Sequence, residues 1–278
     1  MSGYLTRYDS RRTAGIQLLV LLLSLSGCGL VPTKVPYPAF IQSEELEDVF
    51  LVGLPGVRAK QFVGDARSLR SSNRLLIPAD WDFSTGAVPD RSVEIFVLAG
   101  QIELGDLTLR PGGYAYLPSG SMGTRMRSRT GAELLYFLDD VDANAVIQMP
   151  LISGSDPARW RLLSNDPEDF GLSVLELRSD PGSGARTWLL KVDPVAEQPW
   201  QSVSVDVEGY LVSGLYQHSE CVSGEPATGT YKPGGYFLRP AGAVHGGPEA
   251  KSIEPSIWYL RTLRAGQREV VGECASEE

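Results

Sequence analysis

The chain has two imidazoles, His218 and His245, and they bound its general acid–base and metal chemistry. His245 closes the turn Pro240-Ala-Gly-Ala-Val-His245. With an ordinary pKa near ~6.5, it is able to exchange a proton at neutral pH or to offer a lone pair to a metal. Neither role is complete in sequence: no nucleophile or second titrating partner stands beside it, and catalytic zinc takes about three protein ligands. His218 lies beyond Gly214 and next to an insertion, where it reads as a surface residue. A sister stretch, Leu117-Pro-Ser-Gly-Ser-Met-Gly123, carries glycine in the place of His245. The chain shows no lipase elbow, P-loop or Cys-x-x-Cys. Of its three cysteines, Cys221 and Cys274 form an isolated pair that an oxidising compartment can close into a disulfide; two free thiols is the alternative.

The elements that must carry these residues come in two copies. Leu75-Leu-Ile-Pro-Ala-Asp80 matches Leu189-Leu-Lys-Val-Asp-Pro194, and Val93-Glu-Ile-Phe-Val-Leu-Ala-Gly100 matches Val207-Glu-Gly-Tyr-Leu-Val-Ser-Gly214, both at an offset of 114. Arg110-Pro-Gly-Gly-Tyr114 then matches Lys232-Pro-Gly-Gly-Tyr236 at an offset of 122, so an eight-residue insertion lies around Gln217–Thr230. Collinear blocks at near-constant offset mark a duplicated domain. Each copy reads as short strands punctuated by turns. Glu94–Leu98 and Leu211–Val212 are apolar runs, Gln101–Leu109 alternates as one half-buried strand, and Leu134–Leu138 and Ile257–Leu260 close the copies. With 30 glycines and 19 prolines, about 18% of the chain against a usual ~12%, turn-rich β structure is favoured over helices. A cap at Ser43, ahead of Glu44-Glu-Leu-Glu47, is the one helix signal.

The run Glu-x-x-x-Val-Leu-x-Gly, then Pro-Gly-x-Tyr, then Pro-x-Gly-x-x-His resembles the two motifs of the cupin superfamily, over roughly residues 74–140 and 187–262. The nearest likeness is to short cupins of unknown function related to the zinc-binding cupin of bacterial anti-sigma factors. The resemblance implies an all-β chain of two tandem jelly-roll barrels. It also implies a metal held by two histidines and a glutamate of the first motif and the histidine of the second. In register with the following glycine, the first copy places Ala87, Pro89, Val93 and Gly123 at those positions, with Met122 adjacent. The second places Gln201, Val203, Val207 and His245. Glu94 and Glu208 fall one residue off, and on a strand one residue turns a side chain to the other face. The resemblance therefore implies no resident metal and no catalytic residue. What remains is an apolar pocket in the second barrel bounded by His245, Gln201, Val203, Val207 and Tyr236, with Trp200 nearby. One alternative is a divalent metal held by His245, Glu208 and His218 in an enzyme or sensor; another is a purely structural partner of a second envelope protein, and the bland one is a histidine that only pins its own turn. Cupins often dimerise through their sheets, so a homodimer is implied by the same likeness.

Residues 1–12 are polar, with Arg7, Arg11 and Arg12, and Ile16–Leu25 is an apolar run too short to span a ~30 Å hydrocarbon core. It ends in Leu25-Ser-Gly-Cys28, which resembles the lipobox of bacterial lipoproteins. That likeness implies cleavage before Cys28, acylation of Cys28, and, with Gly29 following, an outer-membrane anchor facing the periplasm. The expected organisation is a signal at 1–27, a tether at 28–43, and domains at 44–150 and 151–278. The formal charge of −9 becomes −11 without the first 27 residues, which hold three Arg and one Asp. An acidic body of this kind has no electrostatic footprint for nucleic acid. Anionic lipid would repel it, so membrane attachment rests on the acyl chains alone.

Overall fold

The computed structural model describes residues 37–51, 53–65, 70–84, 91–119, 124–140, 144–145, 149–166 and 169–275. The signal segment and Cys28 lie outside the described residues, as do Ala87, Pro89, Met122 and Gly123. No helix among the described residues is long and apolar enough to cross a membrane.

The described chain is all-β, with every strand pairing antiparallel and short 3-10 turns such as Ser43–Glu45 and Pro157–Arg159. Ser43 does not cap a helix as expected: its hydroxyl donates to Glu44 at 2.6 Å and accepts from Arg74 at 2.7 Å, and the turn ends at Leu46. The two copies build sheets of matching order. In the first, Tyr114–Leu117, Arg91–Gly100, Ala132–Asp140, Ser71–Ile77 and Arg58–Gly64 lie side by side. In the second, Gly235–Arg239, Val207–Val222, Lys251–Thr262, Arg186–Val192 and Leu172–Ser179 follow the same sequence.

The edges are exchanged between copies. Ile41–Gln42, from the stretch read as tether, pairs with Tyr236 and Gly235 of the second sheet. Leu151–Ile152, at the start of the stretch assigned to the second domain, pairs with Ala115 and Tyr114 of the first. Gln101–Leu109 is not one strand but a hairpin, Ile102–Leu104 and Leu107–Leu109, turned at Gly105-Asp106 with Gly105 at φ 57°. Alternation alone does not reveal that turn; the left-handed glycine does. The insertion in the second copy extends Val207–Val222 to 16 residues and returns it as Glu225–Tyr231.

Period-two alternation sorts the side chains into three cores. Val93, Ile95 and Val97 join the interior of the first copy, and Val207 and Leu211 that of the second. The intervening Phe96, Leu98, Tyr210 and Val212 face a third core between the copies, where Phe62 stacks on Tyr236 at 4.1 Å and Phe137 on Tyr259 at 5.5 Å.

Candidate functional site

The second copy encloses a cavity of about 430 Å³. Alternate residues of one strand, Arg186, Trp188, Leu190 and Val192, form one wall; Phe237 and Arg239 from the strand beside Val207 form another. Val207, Tyr216 and His218 come from the long strand, whose register shifts between Leu211 and Tyr216 keep all three on the inner face. The loop carrying His245 is stitched in place by its backbone. His245 N–H donates to the Gln201 carbonyl at 2.8 Å, Gln201 N–H to that of His245 at 2.9 Å, and Cys221 N–H to that of Val244 at 2.8 Å. Gly246, at φ 100°, completes the turn where a Cβ would stand 2.3 Å from the Pro199 carbonyl oxygen. Only glycine meets both conditions.

A connected polar set borders the cavity, running from His218 and Arg239 to Glu220 and Tyr37. Arg239 donates from Nη2 to Glu220 Oε1 at 2.7 Å and from Nε to Oε2 at 3.1 Å, while its guanidinium lies 4.3 Å over the Phe237 ring. The same Nη2 also closes on His218 Nε2. The same Nε2 lies 2.9 Å from Glu220 Oε1, so whether the ring proton sits on Nε2 or on Nδ1 is set by whether it donates to Glu220 or accepts from Arg239. That Nδ1 has no hydrogen-bond partner among the described residues. Tyr37, from the N-terminal arm, donates to Glu220 Oε2 at 2.6 Å. Burial acts to raise the Glu220 carboxyl, but Arg239 and His218 outweigh it and hold it well below the ordinary carboxylate range. His245 Nδ1 donates to the Ala243 carbonyl at 3.1 Å, which leaves Nε2 as a lone pair. Its ring centre lies 6.0 Å from that of His218. Burial lowers both histidine pKa values, and the Arg239 charge adds to this at both rings, so each is neutral at pH 7.

Gln201, Val203, Val207 and His245 line this cavity, and so does His218, which is buried rather than on the surface. Tyr236 does not. One position from Phe237 on its strand, it turns the other way and its hydroxyl donates to Glu208 Oε1 at 2.6 Å. Trp200 is buried beside the His245 turn, against Gly247. Glu208 does not converge on His245 either. With Glu94, its counterpart in the first copy, it faces the core between copies, where both are buried. There Arg261 reaches Glu208 at 2.8 Å, Glu94 at 3.1 Å and Asp139 at 2.8 Å. Burial acts to raise the Glu94 carboxyl, but Arg261 and Arg178, with hydroxyls of Thr187 and Tyr114, hold it below its ordinary value; Asp139 is raised by burial despite Arg261. Cys221 and Cys274 are joined in a disulfide with their Cα atoms 5.5 Å apart.

The metal that the cupin motifs imply does not fit these residues. Glu208 lies on the wrong face, and no group of three His, Cys, Asp or Glu suited to a metal ion occurs among the described residues. Where His218 and Glu220 approach each other at 2.9 Å, the Arg239 guanidinium already bonds both, and a divalent cation there would meet a fixed positive charge at contact distance. Sequence reasoning missed Arg239, Glu220 and Arg186. Arg239 was legible by alternation only with Tyr236 read outward, the reverse of its expected place. Glu220 and His218 were not, because their face depends on register shifts that sequence does not mark.

Solved structures of similar fold were found. They include a candidate dioxygenase from Nostoc punctiforme, 18% identical over 82% of each chain, with a TM-score of 0.62. Another is protein Ylba from E. coli, of the family DUF861, 16% identical over 81% of this chain and 90% of that one, TM-score 0.60. A point mutant of oxalate decarboxylase from Bacillus subtilis is 13% identical over 86% of this chain and 81% of its own, TM-score 0.58. At these identities the likeness is one of fold, and it agrees with the cupin motifs. No curated protein matches the chain in sequence. The model of a domain of unknown function, DUF4437, matches residues 53–267, most of the two sheets and the whole of the cavity's histidine and arginine set but Arg268, and the chain belongs to that family.

Proposed function

We propose that this chain is a two-barrel cupin lipoprotein of the bacterial envelope, held to the bilayer by acylated Cys28, whose second barrel binds a small organic molecule without catalysing its conversion. The observation that carries the reading is the cavity of about 430 Å³, within the ~300–1,000 Å³ usual for small-molecule sites, with apolar walls and a few fixed polar groups. Arg239 supports the binding role over metal catalysis, since it supplies from within the cation that His218 and Glu220 would otherwise attract. Anchoring rests on Leu25-Ser-Gly-Cys28, and the Cys221–Cys274 bond suits an oxidising compartment. Outer-membrane attachment on the periplasmic side and a homodimer complete the proposal, the latter by likeness to other cupins alone.

The second reading is a metal-dependent enzyme or sensor. The free lone pair of His245 Nε2 favours it, as do neighbours such as Bacillus subtilis oxalate decarboxylase with its Mn(II) centres. Metal analysis of protein purified without chelators separates the two. The binding reading expects no stoichiometric Mn, Fe, Zn or Ni; near-equimolar metal that disappears in His245→Ala would replace it with the second. Membrane attachment is tested by detergent-phase partitioning of the full chain expressed in a bacterium. The Cys28→Ser variant is expected to leave the detergent phase, and its retention there would remove the lipoprotein assignment.

A further inference from the structure

The charge of the cavity is opposite to that of the chain. The protein carries a formal −9, yet the residues bounding the cavity include Arg186, Arg239 and Arg268 and no aspartate or glutamate. Arg239 and Arg268 are bound within the protein, to Glu220 and Asp169 at 2.7 Å each. Arg186 is not held in this way. Its nearest carboxylate oxygen, on Glu176, is 3.5 Å from Nε, and that buried Nε has no hydrogen-bond partner. Two further buried atoms of the lining also lack partners among the described residues, His218 Nδ1 and Gln198 Nε2. Arg186 Nε and Gln198 Nε2 are donors by their chemistry, and His245 Nε2 is the acceptor that the bond to Ala243 leaves. Unpartnered buried donors are uncommon in folded proteins, and an acceptor-bearing guest would give Arg186 and Gln198 the partners they lack.

We infer that the cavity takes an amphipathic organic carboxylate, its head on the Arg186 side chain and its apolar body against Trp188, Phe237 and Trp258. The guanidinium of Arg186 lies 4.7 Å over the Trp188 ring, so it is held at the wall by a stacking contact that leaves its edge to an incoming acid. The planar fork of arginine matches a carboxylate edge to edge, and one such head satisfies the fork and a neighbouring donor at once. This rests on the reading of the cavity as a small-molecule site, and names its ligand class.

The test is a matched-pair titration of the mature chain at pH 7.5, followed by tryptophan fluorescence and thermal shift. The probes are 3-phenylpropionate against 3-phenylpropanamide, and octanoate against octanamide. At least one acid is expected to bind about tenfold or more tighter than its amide, as a charge-assisted hydrogen bond allows. Arg186→Gln should erase that preference, so that each acid and its amide bind alike. Glu176→Gln, which removes the competing carboxylate, should tighten the acid alone, a gain that misfolding cannot imitate. Amides binding as tightly as acids, or an acid preference that survives in Arg186→Gln, would overturn the carboxylate assignment and leave the cavity reading standing. Failure of all four probes to bind would remove both.

Discussion

Tyr236 and Phe237 are neighbours in sequence and strangers in space: one donates to Glu208 between the copies, the other lies under Arg239 in the cavity. The same one-residue rule separates Val207 from Glu208 and decides which polar group can meet His245. Inside the cavity the two histidines are neutral because burial and Arg239 disfavour their charged forms. That has a pH consequence of definite sign. In the unfolded chain both rings take up protons as pH falls through about 6.5, while in the folded protein they do not until lower pH. The unfolded state then binds more protons, so stability is complete above about pH 6.5 and declines below it, by at most about 1.4 kcal/mol per pH unit per histidine. Urea unfolding at pH 7.5 and 5.5 is expected to show the lower midpoint at 5.5, with His245→Gln flattening the difference. Equal midpoints would mean that the rings are accessible to protons in the folded state.

At the scale of elements, the eight-residue insertion does more than lengthen a strand. Val207–Val222 carries His218 and Glu220 past the point where the first copy's strand ends at Gly100, and its far end is tied through Cys221 to Cys274. The tail so fastened includes Arg268–Val270, which pairs with Gln201–Val203 at the cavity wall and places Arg268 on Asp169. The bond closes a loop with a sequence separation of 53. By chain entropy its removal in Cys274→Ser should cost about 2–4 kcal/mol. Denaturant titration checks the cost, and faster amide exchange at residues 268–270 and 201–203 checks that the loss is propagated to the wall. A variant as stable as the parent would show that the tail docks through its strand alone.

The molecule as a whole is held across its pseudo-symmetry by a core that belongs to neither copy. Its apolar part is aromatic, from Phe62 and Phe137 on one side and Tyr236 and Tyr259 on the other. Its polar part is Arg261, fully buried, with Glu94, Glu208 and Asp139 around it and its guanidinium 4.1 Å over the Phe137 ring. Phe137 and Arg261 occupy equivalent places, each opposite the matching glutamate, Glu94 or Glu208. Removing one member of a buried ion cluster strands the rest, so Arg261→Met should cost about 3–5 kcal/mol or more, since three carboxylates lose their shared cation. The exchanged edge strands and common core also predict that both copies unfold in one cooperative step. Coincident circular dichroism and tryptophan fluorescence transitions check this, and separate transitions in the parent would contradict it.

The duplication, the all-β class and the inward places of Val93 and Val207 were legible in the sequence, because repeated motifs and period-two alternation are local properties that any antiparallel fold must obey. So was the displacement of Glu94 and Glu208 from a metal-binding face, though not their destination. Their carboxylates turn away from the cavity and into a core that exists only when two copies pack together. Their shared partner there, Arg261, lies 53 residues along the chain from Glu208 and 167 from Glu94. His218 and Glu220 needed the tertiary structure for a related reason: register shifts along a 16-residue strand set their face, and those depend on pairing with Lys251–Thr262 and Glu225–Tyr231. The Pro-x-Gly-x-x-His turn pointed to the fold. What surrounds His245 was decided by Arg239, a residue of that same motif's strand, whose fixed charge bonds the groups a metal would require.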